Sequence, residues 1–210
     1  MPLLVNEGKV LLETIKTECE IRTGRQRWCS GQRRAFSRAA RRCSTGDPTV
    51  VNALELPPEG AEVRGLHIRP FPAMESVTFD YGRDPDANAL YLFTLGGLRV
   101  LHMGAIGNPV PQEHLDALHG NVDLLFALTG AHATIALEDL DAAIEAIGPR
   151  GVIPMHYYSP RGVLEIEPVD AFLERHPAES ITQVGGPELE LTPETLPAGT
   201  PHIYVLEQSR

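Results

Sequence analysis

Cysteine is scarce in this 210-residue chain: Cys19, Cys29 and Cys43 are the only three, and none forms a C-x-x-C pair. That count and spacing disfavour both a disulfide framework and a cysteine-based zinc site. Aromatic residues make up only 6%, with a single tryptophan, so few rings are expected in the core. No uninterrupted apolar stretch reaches the ~18 residues that a membrane-spanning helix needs. The opening MPLLVNEGKVLLETIKTECE has no basic start followed by an apolar run and a small-residue cleavage site. No secretory leader is therefore expected, and a cytoplasmic setting is the default. What remains, 42% apolar and 22% charged, is the composition of an ordinary soluble domain, of a length that suits one domain with at most a small appendage.

Lysine is nearly absent too, occurring only at Lys9 and Lys16, so arginine supplies most of the positive charge. Its distribution is uneven. Residues 21–46 contain Arg22, Arg25, Arg27, Arg33, Arg34, Arg38, Arg41 and Arg42 and no acid. Residues 47–210 carry 24 acids against eight arginines, a balance of −16. A body this acidic repels nucleic acid, so only the arginine-rich stretch could meet a phosphate backbone. Three readings of IRTGRQRWCSGQRRAFSRAARRCST stay open: a nucleic-acid arm, a solvated segment partly helical around Gln32–Arg42, or a stretch displaced from its reading frame. Any nucleic-acid association is expected to be weak, salt-dependent and without sequence preference. The chain is divided accordingly into an aberrant or flexible segment, 1–46, and a domain, 47–210.

From Asp47 onward the pattern becomes regular. Thr49–Val51 is β-rich, Pro57–Gly60 is a turn, and EVRGLHIRPF (Glu62–Phe71) reads as one strand. Another turn falls at Asp84–Ala87. Ala89–Thr94 and Leu98–Met103 flank Gly96-Gly97 as a hairpin. A short helix is expected over Gln112–His119 and a buried strand over Val122–Leu128. Leu137, Leu140, Ala143, Ile144 and Ile147 share one helix face, with Pro149 and Gly151 beyond its end. A buried strand at Val152–Met155, a helix at Pro168–Arg175 and a strand at His202–Leu206 follow. This alternation predicts a layered α/β architecture.

Two places look chemical. VIPMHYY (Val152–Tyr158) delivers His156 to the C-terminal tip of a buried strand, where ligands of α/β folds gather. By spacing alone, His156 reads equally as a histidine that caps a strand. HMGAIGNP (His102–Pro109) is a strand running into a glycine turn, a pattern that also serves close backbone packing. His114 and His119 are expected to be solvated, and His132 follows the end of the Val122–Leu128 strand.

The ordered pair HMGAIGN and IPMHY, with VDLLFAL and the Leu137–Ile147 helix between, resembles the second half of a metallo-β-lactamase-fold hydrolase. The resemblance runs through PVDAFLERHP and ELELTPETLP and weakly back to Asp47. It is nearest to the branch of ascorbate-6-phosphate lactonase-like proteins. It implies a four-layer αβ/βα sandwich with its N-terminal half truncated or aberrant, and a metal site at the edge of the two sheets. It also implies zinc or manganese as cofactor, hydrolysis of a small-molecule substrate, and His156 as a metal ligand. A divalent ion there lowers the pKa of its bound water and polarises the bond to be cut.

Carried over position by position, the rest of the metal site departs from the family's pattern. Ala105 stands where the family has a metal-bridging aspartate, and Asn108 replaces a histidine of the same turn. Glu75 lies in the stretch Pro72–Glu75, where the family has a histidine ligand; with His102 and Asn108 it is a weak candidate donor. The His-x-His-x-Asp-His signature is absent before Asp47. The expectation is therefore a metal-dependent hydrolase by descent with an impaired or absent metal site. The alternatives are a non-catalytic binding relative or a frameshifted member. Substrate is not fixed by the sequence, and a homo-oligomer is left open.

Overall fold

The computed structural model describes the backbone of residues 3–6 and 9–13, and residues 56–63, 65–74, 88–132, 134–160 and 165–207. Eleven strands are described: β1 (Leu3–Asn6), β2 (Lys9–Glu13), β3 (Ala61–Val63), β4 (Leu66–Ala73), β5 (Asn88–Leu95), β6 (Leu98–His102), β7 (Leu124–Leu128), β8 (Gly151–Met155), β9 (Ile181–Gln183), β10 (Glu188–Leu191) and β11 (His202–Val205). Three α-helices accompany them, α1 (Gln112–Leu118), α2 (Leu137–Ile147) and α3 (Val169–Leu173), with a 3-10 turn at Ala178–Ser180. One sheet has eight strands in the order β3-β4-β5-β6-β7-β8-β11-β9, and β1-β2-β10 form a second. Strands β3 to β6 pair antiparallel, and β6, β7, β8, β11 and β9 run parallel.

Burial explains the layering. Strand β7 is buried at all five positions and β8 at four of five, as expected of parallel strands covered on both faces. Leu101, Leu125, Ala127 and Val152 meet Leu118, Leu140, Ile144, Ile147 and Phe172 on the helical side. On the other face Leu98, Val100, Leu124, Phe126 and Ile153 pack with Leu191 of β10 and with Leu196. Each side chain of this size contributes roughly 1.5–3 kcal/mol on burial. Among the described residues the layers are thus helices, large sheet and small sheet. The α/β class stands. No described helix is long and apolar enough to cross a membrane.

The helix expected over Leu137–Ile147 forms with those bounds, burying Leu140, Ala143, Ile144 and Ile147. The β5–β6 hairpin turns at Gly96 (φ 57°) and Gly97 (φ 80°), the left-handed pair that a tight two-residue turn requires. The single strand expected over Glu62–Phe71 is instead two. Val63 pairs with Leu66 across a two-residue connection, and β3 and β4 run antiparallel. Strands β1, β2, β9 and β10 add to the elements expected from the sequence. Thr49–Val51, the turn at Asp84–Ala87 and the whole arginine-rich stretch lie outside the described residues.

The N-terminal ends of β6, β7 and β8 are tied by a dense set of polar contacts. Asp123 Oδ2 accepts from the Arg99 amide at 2.8 Å and from Arg99 Nε at 2.9 Å, and Oδ1 accepts from Nη2 at 2.8 Å. This bidentate pairing holds the Asp123 carboxyl below its usual range. The Asp123 carbonyl accepts the amides of Arg150 and Gly151. The Arg150 guanidinium donates to the carbonyls of Pro193, Leu196 and Pro197.

Candidate functional site

The opposite ends of the same strands carry the residues singled out for chemistry. All eight histidines of the chain lie among the described residues. Five sit elsewhere. His67 pairs with Glu62, His114 bonds the Pro72 carbonyl, His119 bonds the Ala146 carbonyl, His176 faces Asp141 and His202 meets Thr182. His114 and His119, expected to be solvated, thus each anchor a backbone carbonyl. The remaining three, His102, His132 and His156, stand at or beyond the C-terminal ends of β6, β7 and β8, three neighbouring strands.

His102 ends β6 and is packed between Tyr91 and Phe126, with ring centroids 6.2 and 5.8 Å away. Its Nδ1 accepts the Gly104 amide at 3.0 Å, which leaves Nε2 as the protonated nitrogen of the neutral ring. Burial pushes its pKa down to about 4, so it is uncharged at neutral pH. The following turn is held against its neighbours. Asn88 Oδ1 accepts the Ala105 amide at 3.4 Å, and the Met74 carbonyl accepts Gly107 N at 3.2 Å and Asn108 Nδ2 at 3.4 Å. Asn108 is buried, whereas Ala105 is exposed and offers no donor atom. Glu75 lies outside the described residues.

His156 follows β8 with φ 53°, and Ala131 and His132 follow β7 with φ 48° and 45°. These are the only three non-glycine residues in the left-handed region among those described, and they cluster at two adjacent strand tips. That conformation is uncommon for non-glycine residues. Two contacts join these tips. Gly130 lies so close to the His156 carbonyl that an added Cβ would collide with it. Thr129 then donates its amide to the Met155 carbonyl at 3.0 Å and its hydroxyl to the same oxygen at 3.3 Å. The His156 Nδ1 atom is buried with no hydrogen-bond partner.

Sequence reasoning missed the segment that spans the two tips. Glu167 donates its amide to the Gly130 carbonyl at 2.7 Å and accepts the Tyr158 amide at 2.8 Å. Its carboxylate reaches His132 Nε2 at 3.2 Å. Tyr158 is 46% exposed, the one large hydrophobic side chain so exposed among the described residues. Nothing in GVLEIEP marks Glu167, because its role depends on a return from distant sequence rather than on local spacing. Among the described residues, no three His, Cys, Asp or Glu side chains converge as a metal site.

Comparison with known proteins agrees with this geometry at the level of fold and family. The family described as beta-lactamase superfamily domain matches residues 13–156, from the end of β2 through His156. A UPF0173 metal-dependent hydrolase of Thermococcus onnurineus is 34% identical over 97 residues, covering 46% of this chain and 42% of the relative. One from Pyrococcus abyssi is 31% identical over the same length and shares. The match thus spans about two fifths of either relative. A Thermotoga maritima crystal structure, described as belonging to the metallo-beta-lactamase superfamily, superposes with TM-score 0.56 at 23% identity, over 72% of this chain and 70% of that one. The fold is shared. With most of its length matched by the family, this chain belongs to the beta-lactamase superfamily.

Proposed function

We propose that this chain comes from a metal-dependent hydrolase lineage and that its ion site is impaired as the sequence stands. The observation that carries this reading is the 102–108 turn. Ala105 occupies the place of the expected bridging carboxylate, the Asn108 amide is directed to the Met74 carbonyl, and His102 Nδ1 is occupied by Gly104. The orphaned Nδ1 of His156 could serve as one donor. A catalytic zinc needs at least three protein ligands. The residues at these tips therefore do not fit zinc or manganese. The finer likeness to lactonase-like proteins rests on the ordered pair His102–Asn108 and Ile153–Tyr157 and names no substrate. A small-molecule partner and a cytoplasmic setting belong to the same proposal. Nucleic acid is disfavoured by the acidic body.

Elemental analysis of the purified chain tests it. Well under one equivalent of zinc or manganese is expected. Stoichiometric metal that is lost on His156→Ala would overturn the reading and restore a working hydrolase.

A further inference from the structure

Strand β9 ends the eight-stranded sheet, and its outer edge has no strand partner among the described residues. Its register sets Thr182 opposite Tyr204 of β11. Side chains alternate between faces along each strand, and Ile181 and Ile203 belong to the helical side. Thr182, Tyr204 and His202 therefore share the other face. There the Thr182 hydroxyl lies 2.7 Å from His202 Nε2, with Thr182 exposed and His202 half-buried.

Both partners are held in place. The His202 amide donates to the Arg150 carbonyl at 3.0 Å, and its ring packs on Tyr204 with centroids 4.9 Å apart. Thr182 is β-branched, which restricts its side-chain rotamers on a strand. When Nδ1 carries the proton of the neutral imidazole, Nε2 accepts the hydroxyl hydrogen. A hydroxyl so placed against an imidazole is the arrangement of a nucleophile with its base.

The next residue adds a donor. Val184 gives its amide to the Val205 carbonyl of β11 at 2.9 Å. Amides alternate in direction along a strand, so that of Gln183 points out of the free edge. The amide of the residue after a nucleophile is a recurrent oxyanion donor, because it lies beside the atom that gains charge.

We propose that Thr182 and His202 form an acyl-transfer dyad for activated carboxylic esters, separate from the strand tips. Thr182 Oγ1 bonds to the acyl carbon while its proton passes to His202 Nε2. The ester C–O bond then breaks, and the leaving alcohol takes that proton. Water attacks the acyl-threonine next, with His202 receiving the water's proton and returning it to Thr182 Oγ1 as the carboxylic acid departs.

The full chain with p-nitrophenyl acetate tests the assignment. After an acid quench, peptide mass mapping should find acetyl on Thr182. The other seven histidines supply a background, so release of p-nitrophenolate should exceed that of Thr182→Val and of His202→Gln by at least about threefold. Thr182→Ser restores a hydroxyl at the same place and should keep the wild-type rate to within about threefold. Acetyl confined to Lys9, Lys16 or the chain amine would overturn the proposal. So would release that is unchanged in Thr182→Val or in His202→Gln, or a loss in Thr182→Ser as large as in Thr182→Val.

Discussion

The two ends of the β6–β7–β8 ribbon are built from the same strands and treated in opposite ways. At the N-terminal end every strong polar group has a partner: Asp123 takes three bonds from Arg99, and Arg150 gives its guanidinium to three carbonyls. At the C-terminal end a buried imidazole nitrogen is orphaned, and three side-chain-bearing residues adopt left-handed backbone. Satisfied contacts of the first kind add stability. Strain and unmet polar groups of the second kind subtract from it, and they persist where a site was shaped by function. The contrast singles out the strand tips, where the proposed ion site would lie.

The comparison breaks most visibly at the clamp. Asp123→Ala removes the acceptor for the Arg99 side chain and amide, and is expected to destabilise the chain by about 3 kcal/mol. The Arg99 side chain is 42% exposed and can return to water, so the loss stays below that of a fully buried pair. The urea midpoint measures it, and a shift equivalent to less than ~1 kcal/mol would mean that the clamp is ornamental.

Acid acts at the other end. His102 has a folded pKa of about 4 against its usual 6.5, so between those values the unfolded chain binds the extra proton. Stability is therefore full above the unfolded value and falls as pH drops from about 6.5 towards 4. The loss between pH 7 and pH 5 is expected to be about 2 kcal/mol, and His176, also lowered by burial, acts in the same direction. His102→Gln should flatten this slope; a slope unchanged in that variant would show that His102 is not its source.

Gly130→Ala forces a Cβ onto the His156 carbonyl and should cost about 2 kcal/mol, since backbone cannot move aside cheaply. Thermal unfolding reads this, and a neutral outcome would mean that the two tips are not locked together. The smallest effect sharpens the contrast by its sign. His156→Gly relieves the left-handed strain and deletes the orphaned nitrogen, so stability should rise by about 0.5 kcal/mol. A loss above ~1 kcal/mol would place His156 among the structural residues instead.

Much of this frame is legible in residue order. The period of Leu137–Ile147 sets the bounds of α2 because an amphipathic helix advertises its buried face. The unbroken apolar runs of β7 and β8 announce parallel strands, and IPMHY places His156 at a tip. Arg64-Gly65 carries a turn signal that the apolar residues on either side outweigh, so two strands read as one. Strands as short as Ile181–Gln183 and Glu188–Leu191 have no period to detect. The close approach of Gly130 to His156 and the bridge through Glu167 each depend on residues that meet only after folding.

The pairing of β2 with β10 governs how the chain is made. Val10 lies opposite Leu191, so a strand synthesised before the β6–β7–β8 ribbon joins one synthesised after it. Closing so long a loop carries a large entropic penalty before any contact repays it. The ribbon can assemble during synthesis, while Lys9–Glu13 must wait until Glu188–Leu191 has left the ribosome. Throughout that interval the face bearing Val100, Phe126 and Ile153 lacks its cover from Leu191. Nascent chains stalled before residue 188 should therefore engage holding chaperones more strongly than the finished protein does.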